Sequence, residues 1–255
     1  MLFNRQSMAR RLLSKLQSPL CLLFPEVCHL CGIQVAEPCD GYICRLCAVS
    51  MRRLVGPVCR ICGLPEEGRS MRGFLCPDCH PDRFAFASAR SAVEATPSML
   101  GLIHRFKYHG ATWLVPFFHR LIHETWWFEP EVLACDGILP VPLHAKRQRE
   151  RGFNQSAVLG RGLINQRSVD WLDGVMKRIA PTTSQTMLSR ELRFVNMKRA
   201  FEVCSASALK GRRLLLLDDV LTSGATAEAC ARECLRAGAR SVIVRTLARG
   251  LLQKG

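Results

Sequence analysis

Residues 214–226 read LLLLDDVLTSGAT: four leucines, two aspartates, then a short turn rich in hydroxyls and glycine. The unbroken apolar run predicts a strand buried on both faces, as in a parallel sheet. Asp218 and Asp219 then fall at its C-terminal end, the side of an open α/β sheet where ligands bind. Thr222–Thr226 are predicted to open a helix that runs to about Ala237, with Gly238 as its stop. The N–H groups of a first helical turn have no partner inside the helix and carry partial positive charge, so a phosphate fits there. Two carboxylates beside such a cradle suit a ribose 5-phosphate. The acids take the 2- and 3-hydroxyls, and the backbone of Thr222, Ser223, Gly224, Ala225 and Thr226 takes the phosphate.

One aspartate at this position would be an ordinary helix cap. Two adjacent acids followed by a T-S-G-x-T turn ask for more, and the order of strand, acid pair, turn and helix resembles the 5-phosphoribosyl 1-pyrophosphate (PRPP) motif of type I phosphoribosyltransferases. Neither the Walker P-loop pattern nor G-x-G-x-x-G occurs, which argues against a nucleoside triphosphatase or a dinucleotide enzyme.

At 255 residues with 48% apolar content, the chain has room for one medium domain and a small one, and enough apolar surface for a core. Its formal net charge is +15, from 36 Lys and Arg against 21 acids. Part of that excess suits a phosphate-rich substrate; the remainder leaves room for contact with nucleic acid. The apolar run at 19–24 is too short to span a bilayer, so no membrane span is expected.

Fourteen cysteines are present, and their spacing separates metal binding from disulfides. Cys28 and Cys31, Cys44 and Cys47, Cys59 and Cys62, and Cys76 and Cys79 form four C-x-x-C pairs. Each pair places two thiolates on one tetrahedral metal, and two pairs complete a site. With no secretory signal, a reducing cytoplasmic setting is expected. CHLCG at 28–32 recurs as CRICG at 59–63, and ICRLC at 43–47 recurs as LCPDC at 75–79. This internal repeat predicts a double zinc ribbon with two structural Zn²⁺, one per copy; cross-braced ligation between the copies is the alternative. So small a segment, poor in large apolar residues, needs its metal to fold.

The expected organisation is a leader helix and connection over 1–27, the double zinc ribbon over 28–80, a hinge over 81–85, and an α/β domain over 86–250. Strands are predicted at 89–95, 136–141, 175–179, 214–217 and 241–247. Helices are predicted at 98–107, 113–125, 154–165, 189–199 and from 222. A basic loop, LHAKRQRERGFNQ, follows the strand at 136–141. Strands alternating with helices imply a largely parallel sheet flanked by helices. The stretches most ready to hold anions are Arg105 and Lys107, the basic loop, Lys177 and Arg178, and the basic residues between 190 and 199.

The cysteine module, KYHG, PVPLHAKRQRERGFNQ, RIAPTTSQTMLSRELRFVN and LLLLDDVLTSGAT occur in the order found in the ComF (competence protein F, or GntX) family. The resemblance covers about 25–247. It implies an amidophosphoribosyltransferase-like domain behind a zinc ribbon, and a link to competence and DNA uptake through a helicase-like partner. Carried onto this sequence, Asp218 and Asp219 hold the ribose and residues 222–226 the 5-phosphate. The turn at 142–146 forms the pyrophosphate loop and residues 147–155 a mobile flap, while Mg²⁺ bridges pyrophosphate and ribose oxygens. Lys146, Arg147 and Arg151 are the expected catalytic cations, since charge develops on departing pyrophosphate. Two functions follow: a phosphoribosyltransferase with an unknown acceptor, or a non-catalytic protein on that fold that senses nucleotides or grips single-stranded DNA. The low aromatic content, 7%, weighs against the strand-gripping reading.

Overall fold

The computed structural model describes residues 27–65, 73–80, 83–164, 169–180 and 200–250. The expected helix at 189–199 lies outside these residues, as does the leader up to residue 26. The described elements are α1 (Arg45–Ser50), β1 (Ser88–Glu94), α2 (Pro97–Tyr108), α3 (Val115–His123), α4 (Pro130–Leu133), β2 (Gly137–Pro140), α5 (Ala145–Arg151) and α6 (Gln155–Ile164). They continue with β3 (Asp170–Trp171), β4 (Met176–Arg178), β5 (Phe201–Val203), β6 (Arg213–Leu221), α7 (Ala225–Arg236) and β7 (Ser241–Arg249). Five strands form one sheet in the order β1-β7-β6-β2-β3, and every pairing is parallel. β4 and β5 make a separate antiparallel pair.

The four leucines of β6 explain its central place. Leu215 and Leu217 enter the core on one face of the sheet, with side chains of α2, α3 and α6. Leu214 and Leu216 enter the core on the other, with α7. Period-two alternation of large apolar groups on both faces requires a roof on each side. β6 runs on through the acids to Leu221, four residues beyond the leucines, so the acids sit inside the strand rather than after it. α7 accordingly begins at Ala225, not at Thr222.

α2 starts at Thr96, whose hydroxyl accepts the N–H of Met99, with Pro97 in the first turn. Its residues Met99, Leu102, Ile103 and Phe106 are buried at helical spacing. The stretch expected as a basic loop is instead the helix α5, with no buried residue. It is stopped at both ends: the His144 ring accepts the N–H of Lys146, and Gly152 ends the helix in the left-handed region. Without an apolar stripe, only those end residues mark it as a helix.

The zinc ribbons are built into the sheet edge. The segment between them runs antiparallel along β1, with Leu54 N–H donating to Ala92 O (3.0 Å) and Glu94 N–H to Arg52 O (2.9 Å), and the second ribbon continues the edge where Ala89 N–H donates to Ile61 O (2.7 Å). It covers an edge that would otherwise present unpaired backbone groups. The first ribbon then packs into the core on the α2/α3 face, where Cys28, Ile43 and Cys44 are buried. The second packs into the α7 face, where Cys59, Cys62, Cys76 and Cys79 are buried. Two ion pairs fasten this region to α3 or its end: Asp40 of the first ribbon with Arg120 (2.6 Å), and Arg53 of the inter-ribbon segment with Glu124 (2.6 Å).

Of the segment expected as a hinge, the described residues form a strap. Phe84 and Phe86 are buried and stacked, with ring centroids 4.6 Å apart. Between them, Ala85 N–H donates to the carboxylate of Glu228 on α7 (2.5 Å).

Candidate functional site

The two cysteine quartets assemble copy by copy. Cys28, Cys31, Cys44 and Cys47 bring their sulfurs within 4.8 Å of one another, and so do Cys59, Cys62, Cys76 and Cys79. Ligation is therefore sequential, not cross-braced. Four thiolates about 2.3 Å from a tetrahedral zinc lie about 3.8 Å apart. The Cys31–Cys44 and Cys62–Cys76 separations are 3.9 and 3.6 Å. The donor set and its dimensions fit structural zinc.

The sequence repeat reappears as backbone geometry. Gly32 N–H donates to Cys28 O (2.7 Å) and Gly63 N–H to Cys59 O (2.9 Å), closing equivalent turns. Both glycines sit at φ 68°, where a side chain is strained. Backbone N–H groups aim at the sulfurs, among them Cys44 N–H to Cys28 Sγ (3.3 Å). Burial alone would raise the Cys59 thiol, but N–H groups of Cys76, Cys62 and Ile61 favour its thiolate and bring it to about 7.

The second site lies where the parallel sheet reverses its winding. From β2 the chain passes through α5 and α6 to β3 on one side; from β6 it passes through α7 to β7 on the other. α6 and α7 cover opposite faces. A crevice opens between such strand ends by topology. Here it is a cleft of about 510 Å³, lined by residues after β2 (Val141–Leu143), by Asp218, Asp219, Thr222 and Thr226, and by one face of α2.

Asp219 is 3% exposed. One carboxylate oxygen accepts from Gln155 Nε2 (3.1 Å), and the other forms an ion pair with Lys107. Burial pushes the Asp219 pKa up, but the Lys107 charge and these hydrogen bonds outweigh it and hold the group below its usual value. Asp218 accepts from Ser156 Oγ (3.0 Å) and from the N–H of Asp219 (2.9 Å). Burial, then the neighbouring Asp219 charge, raise Asp218 to about 7. Adjacent acids in one low-dielectric site divide in this way because both cannot ionise cheaply. Asn154 positions both partners: its side chain donates to Val141 O (3.1 Å) and accepts the N–H of Ser156 (3.0 Å), tying the start of α6 to the end of β2.

Thr222 and Thr226 line the cleft, whereas Ser223, Gly224 and Ala225 are buried in the turn between them. Gly224 sits at φ 83°, and a Cβ there would lie 3.1 Å from the Phe84 ring. The strap thus packs against the turn that opens α7.

Among the expected cations, Arg151 lines the cleft and donates to Gln155 Oε1 (3.0 Å). Lys146 and Arg147 do not line it; Lys146 is exposed, and Arg147 lies 3.8 Å from Glu150 on the same helix. Lys107 and Arg178 line it as well. In the sequence both stand only among the general anion-holding stretches. The sequence assigns no role to Ser156, His104 or Tyr108. Ser156 follows Asn154 and Gln155 at the start of a predicted helix and Tyr108 stands in the KYHG stretch, but neither position by itself marks a contact with a ligand. No described helix is long and apolar enough to cross a membrane.

Comparison with known proteins agrees with both halves of the chain. The family model of the double zinc ribbon domain matches residues 19–80. The DNA utilization protein YhgH of Salmonella typhimurium is 31% identical over 239 residues, covering 90% of this chain and 100% of that protein. Competence protein F of Haemophilus influenzae is 32% identical over 152 residues, 58% of this chain and 66% of its own. Competence protein ComFC of Bacillus subtilis is 26% identical over 242 residues, 88% of this chain and 95% of its own.

Proposed function

The chain belongs to the ComF family, and we propose that its cleft binds PRPP and transfers the phosphoribosyl group to an acceptor. The observation that carries this reading is the meeting of the buried acid pair with the first turn of α7 at the sheet's switch point. The N-terminus of α7 takes the 5-phosphate. Asp218 and Asp219 take the ribose hydroxyls, for which Lys107 must release Asp219. The freed ammonium then lies beside the pyrophosphate.

In the transfer, the C1–oxygen bond to pyrophosphate breaks and its electron pair leaves with the pyrophosphate. A lone pair of the acceptor forms the new bond to C1, and the acceptor gives up a proton. Lys107, Arg151 and Arg178 stabilise the departing charge, an effect worth about 2–4 kcal/mol per well-placed donor. The acid pair favours the cationic ribose. Mg²⁺ bound together with PRPP would add neutralising charge on the leaving group.

Calorimetric titration with PRPP and Mg²⁺ tests the binding step. Saturable binding is expected, and its loss in Asp218→Ala/Asp219→Ala. Undiminished binding by that variant removes the assignment. Release of pyrophosphate across a panel of bases and ammonia tests turnover.

A second reading rests on the net charge of +15 and on relatives named for DNA utilization and competence. In it, the same fold grips single-stranded DNA without turnover. Affinity should then fall steeply with salt; a flat dependence removes this reading.

A further inference from the structure

We infer that the cleft accepts a whole nucleotide, with a planar nitrogenous base stacked on a shelf made by Tyr108 and His104. The inference rests on the sugar-phosphate reading and extends it. Leu100, His104 and Tyr108 stand one helical turn apart on a single face of α2, and all three line the cleft. Tyr108 is 50% exposed and Leu100 44% exposed. The His104 and Tyr108 rings lie 4.6 Å apart, tilted by 40°. A ribose phosphate, polar on every side, makes no use of such a wall. A base does, because each base has a π-face that stacks on an aromatic ring.

The shelf is fixed relative to the acids. Arg151 lies 4.7 Å from the Tyr108 ring centroid, and its Nη2 donates to the Tyr108 hydroxyl (3.0 Å). Its Nη1 donates to Gln155 Oε1 (3.0 Å), and Gln155 Nε2 donates to Asp219 (3.1 Å). One hydrogen-bonded chain therefore runs from the aromatic wall to the carboxylate assigned to the ribose. Lys107, next to Tyr108 in the helix, reaches the same carboxylate. Asp219 is thus linked by hydrogen bonds to the shelf and by the chain itself to the turn that opens α7, so one cleft holds a partner for each part of a nucleoside 5′-monophosphate. A cleft of about 510 Å³ is roomier than ribose 5-phosphate needs and lies within the usual range for small-ligand pockets.

The test compares three probes on the zinc-loaded full chain by calorimetry: ribose 5-phosphate, AMP and UMP. The mononucleotides should bind about tenfold or more tightly than ribose 5-phosphate, the gain expected of one stacked base. Tyr108→Ala should abolish that gain, read as the ratio of mononucleotide to ribose 5-phosphate affinity, whatever its effect on ribose 5-phosphate alone; Tyr108→Phe, which keeps the ring, should keep that ratio. Equal affinity for all three probes, or a gain that survives Tyr108→Ala, overturns the base shelf while the sugar-phosphate reading stands. Failure of all three to bind overturns both.

Discussion

Lys107 and Asp219, one on α2 and the other inside β6, form an ion pair across the floor of the cleft. The pair joins the two walls that a ligand must separate. It supplies a countercharge for a carboxylate that is 3% exposed, and it places an ammonium where a phosphate-bearing ligand can recruit it.

Removing the lysine should expose what that countercharge does. Lys107 holds Asp219 below its usual value, so the pair stabilises the fold above about pH 4, the unfolded value. That stability is lost as pH falls through the depressed folded value. Lys107→Met should cost about 1–3 kcal/mol at pH 7, less than a fully buried pair because the lysine keeps some exposure. Urea denaturation should show the difference between variant and parent shrinking below about pH 4.

Asp218 acts in the opposite sense. Raised to about 7, it keeps its proton in the folded state over a range where the unfolded chain has lost it. Its contribution to stability is therefore present below about pH 4 and fades as pH rises to about 7. Asp218→Asn can still accept from Ser156 and from the N–H of Asp219. It should flatten the pH dependence of stability between about pH 4 and 7, and parallel curves for variant and parent would contradict the assignment.

The strap makes the two ribbons unequal toward the cleft. Phe84 packs on Gly224 and Ala85 is held by Glu228, so the second ribbon leads directly into the turn that opens α7. Both Cys76→Ser and Cys31→Ser should lower zinc content from two per chain. Cys76→Ser should weaken sugar-phosphate binding more. The checks are metal analysis and titration on the same samples.

Gly63 offers a purely steric test. It sits at φ 68°, and a Cβ would fall 2.4 Å from the carbonyl oxygen of Ala89 on β1. Gly63→Ala should destabilise by about 2–4 kcal/mol, read as a lowered melting temperature. Gly32→Ala has the same strain at φ 68° but open space around it, and should cost less.

The basic helix can be separated from the cleft. Lys146→Ala and Arg147→Ala should leave PRPP affinity within about twofold of the parent, since neither side chain lines the site. Lys107→Ala and Arg151→Ala should each lower it about tenfold or more, as expected for lost charge-assisted contacts.

The sheet was legible because its strands announce themselves locally. Leu214–Leu217 and the helical spacing of Met99, Leu102, Ile103 and Phe106 each encode burial in consecutive residues. The cysteine quartets were legible for the same reason, since C-x-x-C pairs at a repeated offset carry their geometry with them. What escaped is long-range. Lys107 and Asp219 are 112 positions apart in the chain, and nothing near either one points to the other. The helix of residues 145–151 was hidden because it buries nothing, so no apolar period marked it. The continuation of β6 past its acids was hidden for a related reason. Aspartate is disfavoured in strands, and it is the neighbouring strand β7, paired on to Leu221, that holds it there.

The inter-ribbon segment along β1 has a consequence for how this protein can be dissected. A fragment starting at residue 86 would leave a bare strand margin and strip one roof panel from each side of the sheet. Such a fragment should self-associate through that margin rather than persist as an isolated α/β domain. Chelating zinc from the full chain should unmask the same margin, and light scattering would register it as growing particle size.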